Sequence, residues 1–187
     1  VDAGTHAKIS TGKAENKFGV PYDRAAAMYA RLAVRPGLRM RGIAAHIGSQ
    51  ISSLAPSRAA FVRLGELMRA IRVDGHSVTH MDLGGGLGVP YKLGEQLPGP
   101  DEYAAMVADV TADWDATIMF EPGRVIVGNS GVLVTEVIRV KPGVTAPFVV
   151  VDAAMNDLVR PAMYDAWHVF LAVRPSGERV VANIVGP

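Results

Sequence analysis

The fold is decided by a stretch in the first half of the chain, Val78-Thr79-His80-Met81-Asp82-Leu83-Gly84-Gly85-Gly86-Leu87-Gly88. It begins as a short strand and ends in a run of glycines that turns the backbone sharply. Helical patterns lie on both sides, opened by Pro56-Ser57 and by Pro100-Asp101. Strand-like runs at 42–47 and 117–120 extend the alternation. Strand, helix, strand, helix, strand predicts an α/β fold with a parallel sheet.

Unusual residues follow each of the three predicted strands. The first strand leads into His46-Ile47-Gly48-Ser49-Gln50, the second into the glycine run, and the third into Glu121-Pro122-Gly123-Arg124. Ligands of α/β proteins bind at the carboxyl ends of parallel strands. Three such strand ends in one chain therefore predict a functional site at this edge of the sheet.

The residues at these strand ends suit an anionic ligand with a cationic ring. Glycine amides and Arg124 can bind a phosphate. Glu121, at the end of a strand predicted to be buried, needs a cationic partner such as a protonated ring nitrogen. The glycine run does not match a dinucleotide fingerprint, because Val89 takes the last glycine position, and it does not match a P-loop. A tight turn and a structural Glu121–Arg124 ion pair remain alternatives.

Three further residues allow two interpretations each. His46 is either a hydrogen-bonded core residue or a side chain that faces a ligand. Arg160 and Tyr164, four residues apart, are either a surface arginine beside a packed tyrosine or a second anion site with a hydroxyl. The five histidines lack metal-ligand spacing, so no metal site is predicted.

The second half of the chain has a different pattern. Apolar stretches at 132–140, 148–152, 168–174 and 180–185 have strand character and are separated by turn pairs, among them Pro142-Gly143 and Ser176-Gly177. They predict an antiparallel β region. We place the boundary near residue 126, which divides the chain into domains 1–126 and 127–187.

The composition is that of a packed globular protein. Hydrophobic residues make up 49% and charged residues 20% of the 187 residues, with a formal net charge of +1 and no cysteine. The charge balance predicts no nucleic-acid partner and no anionic membrane partner. The missing cysteines exclude disulfides and thiolate chemistry within these residues. No apolar run reaches the roughly 18–20 residues of a membrane span, and we expect a cytoplasmic protein.

The motifs together resemble the diaminopimelate decarboxylases, pyridoxal-phosphate enzymes of lysine biosynthesis. The resemblance covers essentially the whole chain and rests on Ile9-Ser10-Thr11-Gly12, Lys17-Phe18-Gly19, the three strand ends, Asp152-Ala153-Ala154-Met155-Asn156-Asp157, Arg160-Pro161 and Tyr164-Asp165. The glycine run or Glu121-Pro122-Gly123-Arg124 alone would also fit ornithine and arginine decarboxylases. The resemblance implies a (β/α)8 barrel like that of alanine racemase, followed by a β domain.

The resemblance also implies a role for each candidate residue. His46 would stack on the cofactor ring and Glu121 would meet its pyridine nitrogen, so these two are the predicted catalytic residues. The cofactor phosphate would be bound by Gly86, Gly123 and Arg124, with Ser49 close by. The substrate would be held by Arg124, Arg160 and Tyr164. The implied reaction is decarboxylation of meso-2,6-diaminopimelate to L-lysine and CO2, in a homodimer with shared sites.

The sequence departs from the family in its lysines. The family's cofactor-binding lysine has a Tyr-Ala-x-Lys-Ala context on an early barrel strand, which none of Lys8, Lys13, Lys17, Lys92 and Lys141 has. We therefore expect the chain to hold the later barrel strands and the first part of the β domain, and to be inactive alone. An arginine- or ornithine-type decarboxylase and a non-catalytic barrel fragment are the alternatives.

Overall fold

The computed structural model describes residues 2–4, 17–175, 177 and 180–187, which form two compact units. The first unit comprises the described residues up to Val89 together with Gln96–Ser130, and the second comprises Pro90–Glu95 and Gly131–Pro187. The elements are α1 (Tyr22–Ala33), β1 (Gly42–Ala44), α2 (Leu54–Val73), β2 (His80–Asp82), α3 (Pro100–Thr111), β3 (Thr117–Met119), α4 (Arg124–Val127), β4 (Val137–Lys141), β5 (Phe148–Val151), α5 (Arg160–Tyr164) and β6 (Asn183–Val185).

The first unit contains a parallel sheet in the order β1-β2-β3. Gly42 pairs with His80, and His80 pairs with Thr117 on its other side. A side chain at Gly42 would place its Cβ atom 2.0 Å from the carbonyl oxygen of His80, so this strand contact requires glycine. The helices α2 and α3 connect the strands, which confirms the predicted α/β fold with parallel strands.

The core of the first unit lies between α2 and the sheet. The helix α2 begins after Ser53, whose hydroxyl accepts a hydrogen bond from the Ala55 amide. Its apolar side chains recur every three or four residues and are buried on one face, where they join one apolar cluster with Met81 of β2 and with Trp114. The most deeply buried side chains are Trp114, Met68, Ile71, Met81, Leu83 and Val78. Burial of these large side chains stabilises the sheet edge that carries the candidate site.

The second unit is a mixed sheet, whereas the sequence predicted an antiparallel one. β4 is antiparallel to β5, but β5 pairs in parallel with β6. Residues 168–174 form no strand, although their apolar run predicted one. Of the stretch predicted at 132–140, only the part from Val137 onward is a strand, in β4. An apolar run allows strand pairing without supplying a partner strand.

Two further expectations differ from the structure. The third strand, predicted to be buried, is exposed at Thr117 and Met119. Residues 90–95 group with the second unit, which the sequence pattern did not anticipate. The motif residues Ile9–Gly12 and the turn residue Ser176 lie outside the described residues. No described helix is both long and apolar enough to cross a membrane.

Candidate active site

The three strand ends meet through main-chain hydrogen bonds that continue past the strands. The Ala45 amide donates to the Asp82 carbonyl (2.9 Å), and the Glu121 amide donates to the Gly84 carbonyl (2.8 Å). The strand-end segments predicted from sequence are therefore neighbours, in the order of their strands. Within the first unit, the structure brings His46, the glycine run and Glu121 to one edge of the sheet.

The glycine run is needed for the close approach of three loops. A Cβ atom on Gly84, Gly85 or Gly86 would lie 2.2–2.4 Å from a main-chain oxygen of a neighbouring loop, in each case too close for any side chain. Gly84 and Gly86 also have positive φ angles, of +66° and +105°. From the sequence, the glycines were predicted to expose main-chain amides to an anion. The packing of the loops is a second reason why these positions require glycine.

His46 lies beside this glycine run. Its side chain is exposed, so the alternative of a buried core histidine is wrong. Its Nδ1 atom accepts a hydrogen bond from the Gly85 amide at 3.3 Å. An acceptor at Nδ1 assigns the proton of the neutral ring to Nε2. The contact holds one edge of the imidazole ring against the glycine run.

Arg124 joins the third strand end to the first. It begins α4, and its guanidinium donates to the Ser49 hydroxyl at 3.1 Å and to Gln50 Oε1 at 3.4 Å. Arg124 is half-buried. Gln50 ends the motif that follows the first strand, and its contact with Arg124 depends on the folded loop. The polar contacts of Arg124 place its charge beside Ser49.

Glu121 lies in a different environment from the one expected. The prediction was a carboxylate at the end of a buried strand, but Glu121 is exposed and β3 is exposed at two of its three positions. The argument from desolvation therefore does not apply. No described residue contacts the Glu121 carboxylate with a hydrogen bond or ion pair, so the carboxylate is accessible to a cationic ligand group.

The polar groups of the site match those that pyridoxal phosphate would need. The amides of Gly86 and Gly123 donate to no acceptor among the described residues, and the position above Gly123 is open, with nothing within 4 Å of a built Cβ. These amides and the Arg124 guanidinium suit a phosphate, and the Glu121 carboxylate suits a protonated ring nitrogen. No described group of three or more His, Cys, Asp or Glu side chains could hold a metal ion.

An apolar cavity lies next to these groups in the first unit. It has a volume of about 270 Å³ and is lined partly by Gly84, Gly85 and Gly123 and partly by the rings of Tyr103 and Phe120. The two rings meet edge to face, 6.1 Å apart. Burial raises the pKa of Tyr103 to about 12. The sequence analysis did not identify Tyr103 or Phe120 as residues near the site.

Arg160 and Tyr164 belong to the second unit. Both lie on α5, one helical turn apart, as their spacing indicated. The guanidinium carbon of Arg160 lies 4.9 Å from the centre of the Tyr91 ring, and its Nη1 atom lies 3.5 Å from His168 Nε2. Tyr91 and His168 were not predicted to interact with Arg160, because both contacts require the folded second unit.

The fold and the site define the class of protein, and comparison with known proteins identifies the family. Residues 1–128 match the family "Pyridoxal-dependent decarboxylase, pyridoxal binding domain". The chain therefore belongs to the pyridoxal-dependent decarboxylases. This membership confirms the predicted family relationship and pyridoxal phosphate as the family's cofactor.

The similar proteins include diaminopimelate decarboxylases. The enzyme of that name from Zymomonas mobilis subsp. mobilis is 50% identical over 188 residues, covering 100% of the chain and 45% of the relative. The diaminopimelate decarboxylase from Helicobacter pylori, solved with L-lysine, is 37% identical with a TM-score of 0.94, covering 100% of this chain and 46% of that one. SrLDC, solved with PLP and cadaverine, is 28% identical with a TM-score of 0.81, covering 95% and 47%. The chain spans about half the length of the curated relatives it matches.

Proposed function

We propose that the chain is part of a diaminopimelate decarboxylase, which converts meso-2,6-diaminopimelate to L-lysine and CO2. The main support for this proposal is that four features lie together at the carboxyl ends of three parallel strands: His46, the glycine run, Glu121 and Arg124. The diaminopimelate decarboxylases among the similar proteins support this substrate. In the reaction one Cα–carboxylate bond breaks, CO2 leaves, and a proton takes its place on the same carbon.

The residues of the first unit would bind and orient the cofactor. Pyridoxal phosphate supplies a protonated ring that withdraws the electron pair left by the departing CO2. We assign Gly86, Gly123, Arg124 and Ser49 to its phosphate. The Glu121 carboxylate would keep the proton on the ring nitrogen. His46, held against the Gly85 amide, would cover one face of the ring and exclude water from it.

The residues assigned to the substrate are Arg124, Arg160 and Tyr164. Diaminopimelate carries a carboxylate at each end, so one remains after decarboxylation. A guanidinium binds a carboxylate through two parallel hydrogen bonds, which suits Arg160. A decarboxylase for arginine or ornithine would instead need an acidic group for the cationic far end of its substrate.

We also propose the architecture of the whole protein. Residues 1–126 would form part of a (β/α)8 TIM barrel and 127–187 part of a β-rich domain. The parallel sheet of the first unit and the mixed sheet of the second support this division. The enzyme would be a cytoplasmic homodimer with shared active sites. Mixing of two inactive subunit variants, each defective in a different half of a shared site, would restore activity if the sites are shared.

The experiment offers several substrates to the full-length enzyme. The purified protein, with and without added pyridoxal phosphate, is incubated separately with meso-diaminopimelate, L-lysine, L-ornithine and L-arginine. Carbon dioxide and the amino-acid or amine product are then measured. We expect equal amounts of CO2 and L-lysine from diaminopimelate, and dependence on the cofactor. Preferential formation of cadaverine, putrescine or agmatine would replace the proposal with a different decarboxylase. Cofactor binding without any turnover would favour a non-catalytic protein.

A further inference from the structure

Three side chains of the second unit form a closed cluster around Arg160. The Arg160 guanidinium carbon lies 4.9 Å from the centre of the Tyr91 ring. Arg160 Nη1 lies 3.5 Å from His168 Nε2. The Tyr91 and His168 rings are 5.9 Å apart and nearly perpendicular, with an interplanar angle of 77°. Each of the three residues therefore contacts both of the others, and all three are half-buried.

The two rings come from different parts of the chain. Tyr91 lies in the loop 90–95, where the Glu95 carboxylate accepts hydrogen bonds from the amides of Tyr91 (2.7 Å) and Lys92 (3.1 Å). Arg160 begins α5, and His168 follows that helix. The loop thus closes on itself through Glu95. This closure orients the main chain at Tyr91, from which the ring extends to Arg160.

The contact with Arg160 defines which ring nitrogen of His168 carries the proton. A guanidinium carries donors only, so His168 Nε2 must accept, and the neutral ring carries its proton on Nδ1. Burial, and then the charge of Arg160, lower the pKa of His168, which favours the neutral form that can accept. The charged imidazole would repel the guanidinium and could not accept from it.

The guanidinium of Arg160 keeps donors for a ligand. Five N–H groups lie in its plane, and the His168 contact uses one of them. Among the described residues, no other group accepts a hydrogen bond from Arg160. The guanidinium carbon lies over the Tyr91 ring, 4.9 Å from its centre. The contacts with Tyr91 and His168 restrict the movement of the guanidinium on two sides, and its other N–H groups donate to no acceptor among the described residues.

We infer that Tyr91 and His168 are positioning residues that orient Arg160 toward the carboxylate that remains on the amino-acid product. This inference rests on the proposed function, in which Arg160 binds a substrate carboxylate. A guanidinium free to rotate would lose rotational entropy on binding a carboxylate, and preorganisation removes that cost. The two residues act through Arg160 and do not themselves contact the reacting atoms.

The experiment compares L-lysine with cadaverine, which is lysine without its carboxylate. Binding of each compound to the pyridoxal-phosphate-loaded full-length enzyme is measured by titration of the cofactor absorbance. The variants are Tyr91→Leu, which removes the aromatic face, and Tyr91→Phe, which keeps it. His168→Leu removes the acceptor, and His168→Gln can restore one. The matched control is Tyr22→Leu in the first unit. The guanidinium carbon of Arg63 lies 4.4 Å from the centre of the Tyr22 ring, so this variant removes a similar contact elsewhere.

We expect Tyr91→Leu and His168→Leu to weaken L-lysine binding roughly 2- to 30-fold, the size of a cation–π or single polar contact. Cadaverine binding, cofactor affinity and kcat should stay close to wild type, while KM for diaminopimelate rises. Tyr91→Phe, His168→Gln and Tyr22→Leu should retain lysine affinity.

Two results would overturn the inference. One is unchanged lysine binding in both leucine variants, and the other is an equal loss for lysine and cadaverine, which would indicate general damage to the fold. The proposed function fails separately, if the wild-type enzyme neither decarboxylates diaminopimelate nor binds L-lysine. In that case the inference fails with it, and the wild-type measurement alone identifies the cause.

Discussion

The side chain of Gln50 connects Arg124 to the main chain of Val89. Gln50 Oε1 lies 3.4 Å from Nη1 of Arg124 and accepts a hydrogen bond of 3.2 Å from the Val89 amide. The other end of the same side chain, Nε2, donates to the Val89 carbonyl at 2.7 Å. Gln50 thereby anchors the segment that follows the glycine run. The position of the Arg124 charge depends on this anchored amide.

Replacing Gln50 should weaken cofactor binding. Gln50→Ala removes one contact to the Arg124 guanidinium and both contacts to Val89, and a hydrogen bond to a charged group contributes about 1.5–3 kcal/mol. We expect a roughly 10- to 100-fold weaker affinity of the full-length enzyme for pyridoxal phosphate. Fluorescence titration of the apoenzyme measures it, with the exposed Gln96→Ala as the control. Equal affinities in the two variants would remove Gln50 from the site.

Glu121 should be required for turnover. We assign the Glu121 carboxylate to the ring nitrogen, which would lose its proton in Glu121→Ala, and a neutral pyridine withdraws electrons poorly. We expect the kcat of the full-length enzyme to fall by orders of magnitude, while the variant still binds the cofactor through its phosphate. The matched control is Glu66→Ala, at an exposed position of α2. Near-normal kcat in Glu121→Ala would contradict the assignment.

Arg160 should act on the substrate more than on the cofactor. Loss of one charge contact of this kind costs about 2–5 kcal/mol, so Arg160→Ala should lower kcat/KM for diaminopimelate roughly 30- to several-thousand-fold. Arg160→Lys should also be impaired, because an ammonium lacks the planar pair of donors. Steady-state kinetics and a cofactor titration test both variants, with the exposed Arg139→Ala as the control. A loss explained wholly by weaker cofactor binding would exclude Arg160 from the substrate site.

Arg72 should stabilise the first unit without taking part in catalysis. Its guanidinium donates to the carbonyl oxygens of Val78 (2.7 Å), Trp114 (2.6 Å) and Asp115 (2.9 Å), which lie before β2 and β3. Arg72→Ala leaves these acceptors without their donor, and we expect a loss of about 1–3 kcal/mol in the free energy of unfolding.

Urea unfolding of the full-length protein, followed by far-UV circular dichroism, measures the effect of Arg72→Ala. Arg39→Ala, at an exposed loop position, is the control and should change the free energy of unfolding by less than about 0.5 kcal/mol. If both arginine variants unfold at the same urea concentration, the contacts of Arg72 contribute nothing measurable.

The loop 90–95 should become less stable in acid. Hydrogen bonds from the Tyr91 and Lys92 amides lower the pKa of Glu95 from its ordinary value of 4.5. The folded state therefore binds this proton less readily than the unfolded state. The stabilisation is present above pH 4.5 and is lost as pH falls through the lowered pKa.

The acid effect is tested by comparing Glu95→Gln with the wild-type full-length protein. At pH 7 the wild-type protein should have the higher free energy of unfolding, and its advantage over Glu95→Gln should shrink as the pH falls below about 4.5. Glu66→Gln is the control for removal of an exposed carboxylate. A difference that grows in acid would show that the sign assigned to Glu95 is wrong.

Much of the secondary structure of the first unit could be predicted from the local sequence. Helix α2 has apolar side chains at spacings of three and four, and the strands around Met81 and Ile118 are short apolar runs between turn residues. Such periodicity depends on neighbouring residues alone, so it can be interpreted before any tertiary contact is known. The glycine run and Glu121-Pro122-Gly123-Arg124 contributed to the family resemblance for the same reason, because each motif is contiguous.

The tertiary structure alone decided which residues interact across the chain. Residues 168–174 have strand character but obtain no strand partner, and residues 90–95 join the second unit although they follow the glycine run. The contacts of Gln50 with Arg124 and of Tyr91 with Arg160 connect distant positions. Local periodicity determines which face a side chain can occupy, whereas hydrogen bonds and ring contacts depend on the group that folding brings within a few ångströms of it.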